Sequence, residues 1–148
     1  MDRCGGRGIV VAVAAPTQRT ILIATDADEV LDEVDAALAD ASTTVVRVHA
    51  GRDVLGAVQE LAPDLVVLDL QIGNMGGVAT ALGLRNEESA GRIEPQTVLM
   101  LLDRTADVFL AKRAEADGWL VKPLDALRLG RAAEQVLDGG TYTEGLAS

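Results

Sequence analysis

Aromatic residues are almost missing: the chain has one Trp, one Tyr and one Phe in 148 residues. Hydrophobic residues nevertheless make up 49%, so the core has to be built from Val, Leu, Ile and Ala. That composition favours aliphatic strands layered under Ala-rich helices. Cysteine is equally scarce. Cys4 is the only one, which excludes an internal disulfide and fits a reducing, cytoplasmic setting. No histidine lies near it in sequence, so the thiol is no candidate nucleophile. Basic residues are few, 13 against 23 acids for a net charge of −10, and they form no cluster. Nucleic-acid binding depends on neutralising phosphates with Lys and Arg, so direct DNA or RNA binding is not expected. No apolar run approaches the ~20 residues of a membrane span. Ile9 to Ala15 follows Arg3 and Arg7 and faintly resembles a signal peptide, but the run is short. A strand-like or partner-binding extension over residues 1–19 is the better reading.

What remains is an orderly alternation. Thr20-Ile21-Leu22-Ile23-Ala24 is a short buried strand. Val30, Leu31, Val34, Ala37, Leu38 and Ala41 recur at helical spacing. Thr43 to Val48 is β-branched and reads as a strand. Val54, Leu55, Val58 and Leu61 mark a helix ended by Pro63. Leu65 to Leu68 is a continuous apolar strand of the kind covered on both faces in parallel sheets. Gly73, Asn74, Gly76 and Gly77 form a loop, followed by a short helix from about Val78 to Asn86. Val98 to Leu102 is a fourth strand, Thr105 to Ala116 a helix with Val108 and Phe109 as apolar contacts, and Trp119-Leu120-Val121 a fifth strand. Leu127, Ala133, Val136 and Leu137 mark a last helix, stopped by Gly139-Gly140. Residues 20–138 therefore form one domain, and 139–148 a polar tail. Five strands alternating with five helices imply a parallel, doubly wound α/β sheet.

Ligands of such sheets sit at the carboxyl ends of the strands. Thr25-Asp26 follows the first strand, Asp69 the third, Leu102-Asp103 closes the fourth and Lys122-Pro123 follows the fifth. Two carboxylates with a lysine suit a hard cation together with an anionic group. Magnesium takes one or two carboxylates and keeps several waters, a lysine can pair with a carboxylate or a phosphoryl group, and a carboxylate can accept a phosphoryl group. Plainer roles are open for each residue: Asp26 as a helix cap, Asp69 as the cap of its loop, Lys122 as a surface lysine.

Ile21-Leu22-Ile23-Ala24-Thr25-Asp26, Pro63-Asp64-Leu65-Val66-Val67-Leu68-Asp69-Leu70, Gly73-Asn74-Met75-Gly76-Gly77 and Trp119-Leu120-Val121-Lys122-Pro123 resemble the corresponding segments of bacterial response-regulator receiver domains. The resemblance covers residues 20–138. It implies a flavodoxin-like, CheY-like three-layer sandwich with strand order 2-1-3-4-5. It further implies that Asp69 is the phosphoacceptor, that Asp26, Asp69 and the Gln71 carbonyl bind magnesium, and that Lys122 contacts the phosphoryl group. Four positions depart from the family. Thr25 replaces a first acid, keeping a hydroxyl for the phosphoryl group or a metal-bound water but bringing no charge. Leu102 stands where a Ser or Thr hydroxyl is usual, Trp119 where a switching Tyr or Phe is usual, and Gly73 where Pro is usual.

Two readings follow. One is a receiver-like regulatory or accessory subunit that acts by binding protein, docking through residues 1–19 or the face near Trp119. The other is a working phosphoacceptor switch fed by a histidine kinase. An aspartyl-phosphate hydrolase is disfavoured, because Gln71 stands where such enzymes carry a second acid. His49, Met75, Arg85, Glu87 and Arg92 are read as surface or packing residues.

Overall fold

The computed structural model describes residues 18–72 and 76–144. The Gly73-Asn74-Met75 loop, Cys4 and the 9–15 apolar run lie outside the described residues. β1 (Arg19–Ala24), β2 (Thr43–Val48), β3 (Leu65–Asp69), β4 (Val98–Leu102) and β5 (Gly118–Val121) form one sheet in the order β2-β1-β3-β4-β5. Every neighbouring pair is parallel. The helices are α1 (Asp28–Leu38), α2 (Val54–Leu61), α3 (Gly77–Ser89), α4 (Val108–Arg113) and α5 (Ala126–Leu137). This is the flavodoxin-like three-layer sandwich expected from the sequence.

Strand residues alternate between two faces, and that alternation divides the core. Ile21, Ile23, Leu65, Val67, Leu99, Leu101 and Leu120 pack with Val30 and Val34 of α1 and with Leu129, Ala132, Ala133 and Val136 of α5. Leu22, Ala24, Val66, Leu68, Met100 and Leu102 face α2, α3 and α4 through Val54, Val58, Ala81, Leu84, Val108 and Ala111. All residues of β3 and β4 are buried, as a sheet covered on both faces requires.

Several boundaries differ from the sequence reading. β1 starts at Arg19, inside the span assigned to the extension. α1 stops at Leu38, before Ala41. There the Asp40 carboxylate accepts from both the N–H and the hydroxyl of Ser42, a local turn that competes with further helix. α2 ends at Leu61 and is closed by Ala62, which is left-handed at φ 46°, because the following Pro63 disfavours right-handed helix in the residue before it. α3 runs longer at both ends than Val78–Asn86. The fourth helix is shorter: a 3₁₀ turn over Thr105–Asp107 precedes α4, and Glu115 is left-handed at φ 57°. Phe109, expected as a packing residue, is 59% exposed.

Arg85 also departs from expectation. It is no solvated charge: its guanidinium donates to Glu88, to the carbonyls of Gln96 and Glu115, and to Asp117. Arg92 and Glu87 do form the outer pair expected of surface charges, through two bonds of 2.9 Å.

The polar tail is part of the fold as far as Glu144. Tyr142 makes a parallel bridge with Gly118 on the open side of β5.

Candidate functional site

β1, β3, β4 and β5 all point their carboxyl ends to one edge of the sheet. Asp69, the last residue of β3, is 3% exposed. Its carboxylate accepts 2.8 Å from the Lys122 ammonium and 3.2 Å from the Gln71 N–H on Oδ1. On Oδ2 it accepts 2.7 Å from the Thr25 hydroxyl. Buried carboxylates need such donors, because an uncompensated charge away from water is costly.

Each donor is placed by its own element. Thr25 follows β1 directly and is fully buried; its N–H is held by the Val48 carbonyl and its own carbonyl by Arg47 Nε. The same Thr25 hydroxyl accepts from the Ala27 N–H, the residue that caps α1. Asp26 lies one residue before that cap position. It lies exposed at the end of β1, beside Thr25. Lys122 leaves β5 with its N–H on the Leu102 carbonyl, and the Lys122–Pro123 peptide is cis. Its ammonium bridges Asp69 and Asp103, 2.8 and 3.0 Å away. Burial pushes the lysine toward losing its proton, but the hydrogen bonds to Asp69 and Asp103 outweigh it and hold its pKa above the ordinary lysine value.

Gly77 brings the start of α3 against the back of this site. A Cβ there would lie 2.8 Å from the Asp69 carbonyl oxygen, so only glycine allows the approach.

Asp69, Thr25 and Lys122 thus touch, and the Gln71 backbone closes the turn after Asp69. Asp103, which the sequence placed at a strand end without a partner, completes a carboxylate–ammonium–carboxylate chain. Among the described residues no group of three or more His, Cys, Asp or Glu side chains is arranged to hold a metal. Magnesium does not need three, since one or two carboxylates and waters suffice. The donor set of Asp26, Asp69 and the Gln71 carbonyl is of the right chemistry.

Leu102 and Trp119, two of the four departing positions, are both packed. Leu102 is fully buried at the end of β4, on the α2–α4 face of the sheet. Trp119 is 6% exposed in the same cluster, and its indole N–H donates 2.9 Å to the Glu144 carbonyl. The sequence carried no signal for that partner. Thr80 of α3, also buried, donates its hydroxyl 3.0 Å to the Gly76 carbonyl.

Residues 21–134 match the family model described as response regulator receiver domain. A DNA-binding response regulator, MtrA of Mycobacterium tuberculosis, is 35% identical over 97 residues, covering 60% of this chain and 41% of that protein. The nitrate/nitrite response regulator NarL of Escherichia coli is 32% identical over 97 residues, covering 66% and 44%. The chain thus spans less than half the length of these relatives. Among solved structures, the signal receiver domain of the response regulator NarL of Mycobacterium tuberculosis superposes with a TM-score of 0.72 at 25% identity, covering 84% of this chain and 99% of that one. No helix among the described residues is long and apolar enough to cross a membrane.

Proposed function

Since the chain belongs to the response-regulator receiver domain family, we propose that it is a two-component signalling module in which Asp69 can be phosphorylated while the signal is passed on only weakly. It acts chiefly by binding protein, as a regulatory or accessory subunit of a cytoplasmic assembly. One observation carries this reading: Leu102 is fully buried where the strand end nearest Lys122 would need a hydroxyl. A phosphoryl group on Asp69 would find no hydroxyl donor on Leu102. A hydrogen bond to a charged group is worth about 1.5–3 kcal/mol, and a ligand shifts an equilibrium only by its differential contacts with the two states. Pinning of Trp119 by Glu144 acts in the same sense.

The chemistry at Asp69 remains available. An Asp69 oxygen attacks the phosphorus of a donor, the bond from phosphorus to the donor's leaving atom breaks, and the acyl phosphate forms on β3. Lys122 neutralises charge on the phosphoryl oxygens, and Thr25 keeps a hydroxyl beside them. A magnesium ion held by Asp26, Asp69 and the Gln71 carbonyl would supply further neutralisation. The Asp69–Lys122 contact at 2.8 Å favours a second reading, a full phosphoacceptor switch driven by a histidine kinase. No substrate turnover and no nucleic-acid contact is assigned to the module, whose net charge is −10.

Treatment with magnesium and beryllofluoride or acetyl phosphate separates the readings. Intact-mass analysis should show one phosphoryl group transferred from acetyl phosphate, with acetate released, abolished by Asp69→Asn, and little change in Trp119 emission. A large emission change that depends on Asp69 would establish the full switch instead. No adduct under saturating donor would remove the phosphoacceptor role altogether.

A further inference from the structure

β5 is an edge strand. Its inner side is bonded to β4, and its outer side presents the N–H groups of Trp119 and Val121. Open edges are sites where another extended segment adds. Here that place is taken by Tyr142-Thr143-Glu144 of the same chain. The Tyr142 N–H donates to the Asp117 carbonyl at 3.3 Å, and the Trp119 N–H donates to the Tyr142 carbonyl at 2.8 Å. One step further the main-chain pairing changes to a side chain: the Val121 N–H donates 3.0 Å to the Glu144 carboxylate.

That carboxylate is held by a prepared receptor. Arg128 of α5 donates to it through Nε, 2.8 Å from Oε2, and through its terminal nitrogen to Oε1. The guanidinium is itself fixed by the Pro123 and Val121 carbonyls and by Asp125. Planar bidentate pairing of this kind recognises carboxylates specifically. The Tyr142 hydroxyl donates to Oε2 at 2.8 Å, and the Trp119 indole N–H reads the Glu144 carbonyl. Gly118 makes room for the segment, since a Cβ there would lie 2.9 Å from the Tyr142 carbonyl oxygen. The segment joins α5 through the short Gly139-Gly140 link, with Gly139 at φ 90°.

We infer that the outer edge of β5, with Trp119, Val121 and Arg128, is a binding site for an extended peptide bearing a glutamate two residues beyond its strand-pairing residue, and that Tyr142–Glu144 fills this site in cis as a displaceable strap. The inference does not depend on phosphorylation of Asp69. A tethered occupant has an effective concentration in the millimolar range for short flexible links, so a free peptide competes only when the strap is weakened.

Three full-length proteins test this: wild type, Glu144→Gln, and Glu144→Gln with Arg128→Gln. Each is titrated with a fluorescein-labelled peptide of the sequence Thr141–Ala147, read by anisotropy. Glu144→Gln keeps the side-chain size but removes the charge-assisted bonds, so it should bind the peptide about tenfold or more tighter than wild type. Adding Arg128→Gln should abolish the gain. In the same proteins, hydrogen exchange at the Trp119 and Val121 amides should accelerate about tenfold in Glu144→Gln, while Leu101 stays protected. Equal peptide affinity for wild type and Glu144→Gln, or no binding to Glu144→Gln at millimolar peptide, overturns the peptide site. Unchanged exchange at Trp119 and Val121 overturns the strap.

Discussion

Thr25→Val changes the Asp69 site with the least disturbance of shape, because Val and Thr occupy nearly the same volume. The substitution removes the 2.7 Å bond from the Thr25 hydroxyl to Asp69, between groups that are 0% and 3% exposed. A buried hydrogen bond to a carboxylate contributes about 1.5–3 kcal/mol. The Ala27 N–H also loses its acceptor, which costs about 1 kcal/mol more in a half-buried position. The expected loss is therefore about 2.5–4 kcal/mol, or a fall of roughly 7–12 °C in melting temperature for a domain of this size. Urea unfolding followed by Trp119 fluorescence and by circular dichroism measures it. The decisive quantity is the coupling in a cycle with Asp69→Ala, where the cavity cost is common to both arms and cancels. It should be about 1.5–3 kcal/mol. A coupling below about 0.5 kcal/mol would mean that the hydroxyl does not stabilise that carboxylate, and the geometric basis of the site would fall.

Lys122→Met should cost about 2–3 kcal/mol at neutral pH, less than the roughly 3–5 of a fully buried pair because the lysine is partly exposed. Its folded pKa lies above the ordinary value, so its contribution is complete below about pH 10 and is lost as pH rises through the folded value; the gap in urea midpoint between wild type and variant should narrow there. Leu102→Thr should destabilise by about 1–3 kcal/mol through lost packing and a buried hydroxyl, yet enlarge the Trp119 response to beryllofluoride; an unaltered response would show that this position does not limit transmission. Gly118→Ala should cost about 1–3 kcal/mol, since its new methyl meets Tyr142 and Val136, and should loosen the Trp119 amide in hydrogen exchange. For Glu144, burial raises the carboxyl pKa, but hydrogen bonds from Arg128, Val121 and Tyr142 outweigh it and leave it low. The strap's stability is then present above the ordinary glutamate value of about 4.3 and lost as pH falls through the folded value, which exchange at Trp119 between about pH 5 and 3 would detect.

The sheet was legible because its pattern is local. Continuous aliphatic runs at 65–68 and 98–102, alternating with helical stripes, leave few other arrangements for a parallel fold. The placement of Asp69 beside Lys122 followed from the same logic, since both lie at carboxyl ends of strands. What escaped was set by distant pairing. Asp103 has no marker as the second partner of Lys122 other than its strand-end position. Arg85 looks like any helix charge until its contacts with Gln96, Glu115 and Asp117 bring three elements together. Tyr142 and Glu144 sit in a stretch that reads as polar tail, and their partners, Trp119 and Arg128, are 25 and 16 residues away in the chain. Phe109 misled in the opposite direction, because an apolar residue inside a helical pattern does not reveal which side of the helix meets the core.

The Arg85 contacts have a mechanical consequence. Its guanidinium fastens α3 to the residues that enter β4 and β5, and Asp117, one of its acceptors, also takes the Val98 N–H at 2.8 Å. Those strands are thus riveted together at the end remote from Asp69, while their other ends carry Leu102, Asp103 and Lys122. They are bonded to each other at those ends as well, where Leu102 faces Val121 and the Lys122 N–H donates to the Leu102 carbonyl. The two strands therefore form one plank, clamped to α3 at its far end by Arg85, that presents Asp103 and Lys122 to Asp69 at a fixed spacing.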